Sequence, residues 1–133
     1  MIIVTGGAGF IGVNLVQSLL SLNKKVLIVE ELNKHTSKFE NIKNLNITDC
    51  IDHNLFLKNL ENNKYNEKIE HIFHLGACSK TTEPDRDYIM NVNLEYSKKL
   101  LMYSANNDID MIYASSASVY GDGKNFKEES KNE

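Results

Sequence analysis

The residues Thr5-Gly6-Gly7-Ala8-Gly9-Phe10-Ile11-Gly12 follow directly on the apolar run Ile2-Ile3-Val4, and the chemistry that such a segment performs is holding a pyrophosphate. A buried strand must turn there into a helix, and the turn must let phosphate oxygens reach backbone N–H groups that a Cβ would shield. Gly6, Gly9 and Gly12 permit both, and Gly7 allows a second parsing of the same turn. The helix opening at Phe10 and Ile11 aims its dipole and its unbonded N–H groups at the phosphates, so the turn needs no lysine. Eighteen residues beyond Gly12, Glu30 and Glu31 close a second apolar run, Lys25-Val-Leu-Ile-Val29. An acidic residue about 20 positions past the glycines is where the adenosine ribose is gripped. The two motifs together imply a dinucleotide, NAD or NADP. The paired glutamates repel a 2′-phosphate and argue for NAD, while Lys34, His35 and Lys38 would answer one.

A second constellation lies further on. Asp110-Met-Ile-Tyr-Ala114 reads as a strand that delivers Ser115-Ser-Ala-Ser-Val-Tyr-Gly121 at its C-terminal end, the edge at which open α/β sheets bind ligands. A serine held there aims a hydroxyl at a carbonyl or an alcohol. Tyr120 and Lys124 have the four-residue spacing of a tyrosine base and its lysine, but Gly121 and Gly123 interrupt the helix that would put them on one face. His71 and His74 fall three apart on an expected strand and therefore on opposite faces. Cys50 and Cys78 are far apart in sequence and a reducing compartment would keep them as thiols, so no disulfide is expected. Neither has a CxxC partner, which leaves no zinc or redox motif.

The elements needed to position these groups alternate along the chain. Strands are predicted near residues 2–5, 25–30, 43–46, 69–74 and 109–114, and helices near 10–22, 52–62 and 86–106. A short helical turn is expected between Asn33 and Asn41. This is an α/β pattern, a Rossmann-like doubly wound parallel sheet of order 3-2-1-4-5 that stops after strand five, with the cofactor across the break between strands one and four. Ile11, Leu15, Leu19 and Leu22 form the expected inner face of the first helix, with Asn14 and Gln17 outside. Pro84 is placed in the first turn of the long helix, whose stripe Ile89, Val92, Tyr96, Leu100 and Tyr103 reads as core. Residues 60–68 read as a surface loop.

With 133 residues and 41% hydrophobic composition, one domain is expected over 1–121, followed by a polar, disordered tail over 122–133. A net charge of -3 and a pI near 5.8 argue against a nucleic-acid partner. Strand one begins at residue 2 without an apolar leader, and no run approaches the ~20 residues of a membrane span. A cytoplasmic location without a membrane partner is expected.

The glycine run 5–12 and the serine run 115–121 resemble those of extended short-chain dehydrogenase/reductases. Within that superfamily, Phe73-His-Leu-Gly-Ala77, Cys78-Ser-Lys-Thr-Thr-Glu83, Asn91-Val-Asn93, Tyr96-Ser-Lys98, Leu45-Asn-Ile47 and Tyr113-Ala-Ser-Ser-Ala-Ser-Val-Tyr-Gly121 resemble the ADP-heptose 6-epimerases of lipopolysaccharide synthesis, from Met1 to about Gly121. The resemblance implies an isomerase that moves a hydride from the heptose C6 carbon to bound cofactor and back to the other face. It implies an NADP preference, and cofactor contacts at Leu75, Gly76, Ala77 and Asn93 in addition to Gly6, Gly9, Phe10, Ile11, Gly12, Glu30, Glu31 and Lys38. Ser116 would hydrogen-bond the reacting hydroxyl, and Ser79, Lys80 and Thr81 would lie near the nucleotide sugar. The family's tyrosine and lysine belong to a helix after strand five. The chain is therefore expected to be the N-terminal portion of a longer enzyme, able to bind cofactor but inactive by itself. Family members form homo-oligomers. Here that pairing is expected to be weakened, with apolar surface exposed on strand five and the long helix. Another nucleotide-sugar epimerase or dehydratase, or a non-catalytic dinucleotide-binding module, are the alternative readings.

Overall fold

A computed structural model describes residues 1–32, 36–65 and 68–122. Five parallel strands form one sheet: β1 (Ile2–Thr5), β2 (Val26–Glu30), β3 (Asp49–Asp52), β4 (His71–His74) and β5 (Asp110–Tyr113), in the order β3-β2-β1-β4-β5. β1 and β2 are buried throughout, which is why their sequences are nearly unbroken aliphatic runs rather than alternating ones. Successive residues divide between two cores. Ile2, Val4, Val26 and Ile28 pack with Val16 and Leu19 of α1 (Phe10–Ser21). Ile3, Leu27, Val29 and Ile72 pack with Phe56 and Leu60 of α2 (His53–Glu61) and with Tyr96 and Leu100 of the long helix. That helix runs as α3 (Arg86–Ile89), a π turn (Met90–Glu95) and α4 (Tyr96–Asn106).

Strand three departs from expectation. Instead of 43–46 it occupies Asp49–Asp52, paired from Leu27 with Asp49 to Glu30 with Asp52. As an edge strand with incomplete cover it tolerates acids at both ends, which hides it from a hydrophobicity reading. Leu45 and Ile47 imitate a strand by alternation, but they are loop residues whose side chains pack into the α1 core. The predicted turn before them is a 3₁₀ helix at Thr36–Asn41, while Asn33, Lys34 and His35 fall outside the described residues.

The inner face of α1 is also shifted in phase. Gly12, Val16 and Leu19 are buried, whereas Ile11 is 69% and Leu22 68% exposed. The missing side chain of Gly12 explains this, because that residue must face the glycine turn at close range and so sets the rotation of the whole helix. Pro84 stands before the helix cap and not in the first turn. Asp85 is the cap, its Oδ1 accepting the Tyr88 N–H at 2.9 Å. Tyr96 and Leu100 are buried as the stripe predicts, with Ser104 beside them.

His71 is exposed and His74 buried, on opposite faces as expected. Burial, with the Glu30 and Asp49 carboxylates, pushes the Cys50 thiol up to about 11, so it is inert at neutral pH. Among the described residues no helix is long and apolar enough to cross a membrane, and no group of three acidic, histidine or cysteine side chains is placed to hold a metal. Leu101, Met102, Ile112 and Tyr113 are each more than half exposed, an apolar face on α4 and β5 of the kind that binds hydrophobic dyes. Replacing Leu101 and Met102 together with Lys is expected to cut dye fluorescence about twofold or more at an unchanged melting temperature; dye titration with parallel circular dichroism checks this. Residues 123–133 of the expected tail, with Lys124, lie outside the described residues.

Candidate functional site

The glycine turn is built so that backbone touches backbone. Gly6 has φ +68, and a Cβ there would meet the Gly76 amide nitrogen at 2.8 Å, so β1 and the loop after β4 close on each other only through glycine. At Gly12 a Cβ would lie 2.1 Å from the Gly6 carbonyl oxygen, which makes it the most constrained of the expected site glycines. Gly9 caps α1 and a Cβ there would meet only the Gly6 oxygen, at 3.2 Å. No side chain caps this helix and its first turn carries no acid. Its N-terminal N–H groups and dipole are thus left for an anion from elsewhere. Phe10 and Ile11, 86% and 69% exposed, flank that end.

Beside the turn lies a solvent-open cleft with about 490 Å³ of empty volume. It is lined by Gly6, by Glu30, Glu31 and Lys38 on the β2 side, and by Gly76 and Ala77 after β4. Six expected residues thus meet in one place. Glu30 is 7% exposed, and its Oε1 accepts the Ala8 N–H at 3.1 Å while Lys38 Nζ stands 3.8 Å from Oε2. The carboxylate expected to grip a ribose therefore already ties the glycine turn to the cation that would meet a 2′-phosphate. Glu31 accepts the Tyr88 hydroxyl at 2.7 Å.

A buried chain of hydrogen bonds fixes the loop opposite. The Gly76 N–H donates to Thr5 Oγ1 at 2.9 Å, and Thr5 Oγ1 lies 2.6 Å from His74 Nδ1. His74 Nε2 lies 2.7 Å from Ser97 Oγ, which donates to the Asn93 carbonyl at 2.7 Å. The Ser97 proton is spent on that carbonyl, so Nε2–H must donate and Nδ1 must accept from Thr5, which makes His74 a neutral imidazole of one tautomer. Burial holds it there, lowering its pKa to about 4. Asn93 continues the chain by clamping Cys78, with Oδ1 accepting from its N–H at 2.7 Å and Nδ2 donating to its carbonyl at 3.0 Å. Asn93 thus shapes the loop rather than lining the cleft. Leu75 packs into the α1 core.

The remaining expected residues stand apart from the cleft wall. Ser79, Lys80 and Thr81 are exposed, with Lys80 3.9 Å from Glu83. Ser116 follows β5 at the same sheet edge and caps a short 3₁₀ turn, accepting the Ser118 N–H at 3.2 Å.

This sheet order, with a glycine turn after β1 and acids after β2, limits the relatives to dinucleotide folds. The model of the NAD dependent epimerase/dehydratase family matches residues 2–133. The chain belongs to that family. Among curated relatives, the ADP-L-glycero-D-manno-heptose-6-epimerase of Brachyspira hyodysenteriae is 48% identical over 136 residues, covering 100% of this chain and 42% of that protein. The crystal structure of the enzyme of the same name from Helicobacter pylori superposes with a TM-score of 0.76 at 32% identity, over 93% of this chain and 41% of that one. A UDP-N-acetylglucosamine 4-epimerase from Methanobrevibacter ruminantium, solved with UDP-N-acetylmuramic acid, superposes at 0.78 with 29% identity, over 98% of this chain and 42% of that one. The chain thus spans about two fifths of the length of these relatives.

Six residues that line the cleft escape sequence reasoning as site residues: Thr5, Val29, His53, Tyr88, Val92 and Tyr96. His53 follows Asp52, the partner of Glu30 across the sheet, and becomes legible only once β3 is placed correctly. Tyr88, Val92 and Tyr96 line the cleft at i, i+4 and i+8, on a helix whose apolar positions read as core alone. Tyr96 Oη and His53 Nδ1 are buried and make no hydrogen bond among the described residues. Such atoms fit a polar ligand, since buried donors and acceptors are otherwise satisfied.

Proposed function

We propose that this chain is the cofactor-binding portion of a nucleotide-sugar epimerase acting on an ADP-heptose. The observation that carries the reading is the meeting of the glycine turn, the uncapped α1 terminus and the Glu30–Glu31 pair in one cleft, in a chain 48% identical to a heptose epimerase. The residues fit a dinucleotide: glycines hold open a cradle that a Cβ would fill, and orphaned polar atoms await a partner beyond the acids. When bound, the nicotinamide supplies reversible hydride acceptance. The chain's own residues do the rest. The α1 N-terminus holds the pyrophosphate, Glu31 meets the ribose hydroxyls, and the Asn93 clamp sets the loop whose Ser79, Lys80 and Thr81 face the nucleotide sugar. Ser116 turns its hydroxyl from Ser118 to the reacting alcohol at the sheet edge. The tyrosine that moves the alcohol proton, and its lysine, belong to the remaining length of the relatives, so the chain alone binds without turnover.

Two carboxylates against one lysine in the described cleft make NAD the favoured dinucleotide, because a 2′-phosphate would add a dianion beside them. Calorimetric titration is expected to show NAD bound about tenfold tighter than NADP. Equal or tighter NADP binding would transfer control to Lys38. The substrate class is tested by assaying the full-length protein with ADP-heptose and with UDP-N-acetylglucosamine. Turnover of the UDP sugar alone would replace the heptose reading.

A further inference from the structure

Tyr88 stands on α3, in the segment that follows β4, and its hydroxyl reaches 57 residues back in the chain to Glu31 at the end of β2, at 2.7 Å. The two residues come from opposite sides of β1, and both line the dinucleotide cleft. The bond therefore runs across the cleft, tying its β2 wall to its β4 wall. At this length, with an ionised acceptor, it is of the stronger, charge-assisted kind. α3 is also held in place from behind, because Asp85 fixes the Tyr88 N–H and the π turn behind it carries Asn93, clamped to Cys78.

We infer that the Tyr88–Glu31 hydrogen bond is a clasp across the mouth of the cleft, which must part for a dinucleotide to enter or leave. The inference rests on the dinucleotide reading of the site and adds to it a gate. Such a clasp suits an enzyme that returns its hydride to the same intermediate and so has no need to exchange cofactor between turnovers. It also makes a kinetic prediction that separates a gate from an ordinary contact. A closure equally stable with and without ligand slows entry and exit by the same factor and leaves the equilibrium alone, because a state without differential affinity shifts nothing.

The test is stopped-flow binding of NADH, followed by direct excitation of the dihydronicotinamide in a chain with no tryptophan. Tyr88→Phe keeps the ring and removes only the hydroxyl. It is expected to raise the association and dissociation rate constants alike, by about tenfold or more, the scale set by loss of one hydrogen bond to a charged group, with Kd within about twofold of the parent. Tyr88→Leu, which removes the ring as well, is expected to raise both rates at least as far. Unchanged rates in both variants would overturn the clasp. A weaker Kd arising from faster dissociation alone would also overturn it, by making Tyr88 a direct contact. Failure of the parent chain to bind NADH would overturn the site reading itself, a result distinct from either.

Discussion

Gly12→Ala is expected to abolish NAD binding and to lower the melting temperature by roughly 10 °C or more. The Cβ would sit 2.1 Å from the Gly6 carbonyl oxygen and 2.7 Å from Gly7 Cα. Both are backbone atoms of a turn already pinned to Val29 by the Gly6 N–H and to Gly76 across the sheet. Nothing there yields like a flexible side chain, so α1 must be pushed off the sheet, at a cost of about 3 kcal/mol or more. Gly9→Ala is the informative contrast. Its Cβ meets only one carbonyl, at 3.2 Å, so the fold should survive while the phosphate approach is shielded, and affinity should fall about tenfold or more. Thermal scanning of the two variants with calorimetry separates the effects. A Gly12→Ala protein that melts and binds like the parent would remove the turn from the argument.

The second large effect concerns acid. His74 is neutral in the folded chain, with its pKa lowered from 6.5 to about 4 by burial among Thr5, Ser97, Tyr96 and Tyr113. The unfolded chain therefore binds a proton at a higher pH than the folded one. Stability is fully present above about 6.5 and is lost as pH falls from there to about 4, by about 3 kcal/mol in all. Protonation would also turn Nδ1 into a donor facing the Thr5 hydroxyl and reverse the chain that holds Gly76. Denaturant unfolding of the parent and of His74→Leu between pH 7 and 4 is expected to give curves that converge as pH falls, meet at about pH 5 and cross below it. The leucine variant starts about 2 kcal/mol lower, with the Thr5 hydroxyl unpaired. Glu70, held below the ordinary range by the terminal ammonium, is common to both and cancels. Parallel curves would mean that His74 does not carry the acid sensitivity.

What the sequence revealed, and what it hid, follows from which signals are local. The pyrophosphate turn and the acids after β2 are contiguous and composed of residue types with few other uses there, so they are legible by inspection. The sheet order follows from alternation of elements and the handedness of crossovers. β3 is hidden because an edge strand with Asp at both ends has no hydrophobic run, and His53 is hidden with it. The phase of α1 is set by Gly12 rather than by the leucines, a packing constraint that a hydrophobic pattern does not register. The position of Glu30 in the sequence points to a ligand for ribose, yet its bond to the Ala8 N–H depends on the three-dimensional approach of the glycine turn. Tyr88 is the extreme case, because its partner lies 57 residues away.

The π turn at Met90–Glu95 holds one residue more than an α-helix of the same height, which rotates everything beyond it by about 100° relative to what precedes it. Tyr88, Val92, Tyr96, Leu100 and Ser104 stand four residues apart, a spacing that drifts by about 40° per step in a regular α-helix. The wide turn takes up about 100° of that drift, so the cleft-lining Tyr88 and the buried Leu100 share nearly one bearing. A regular helix laid over this one will match on one side of the turn only, and a one-residue gap within 90–95 is needed to bring the other side into step.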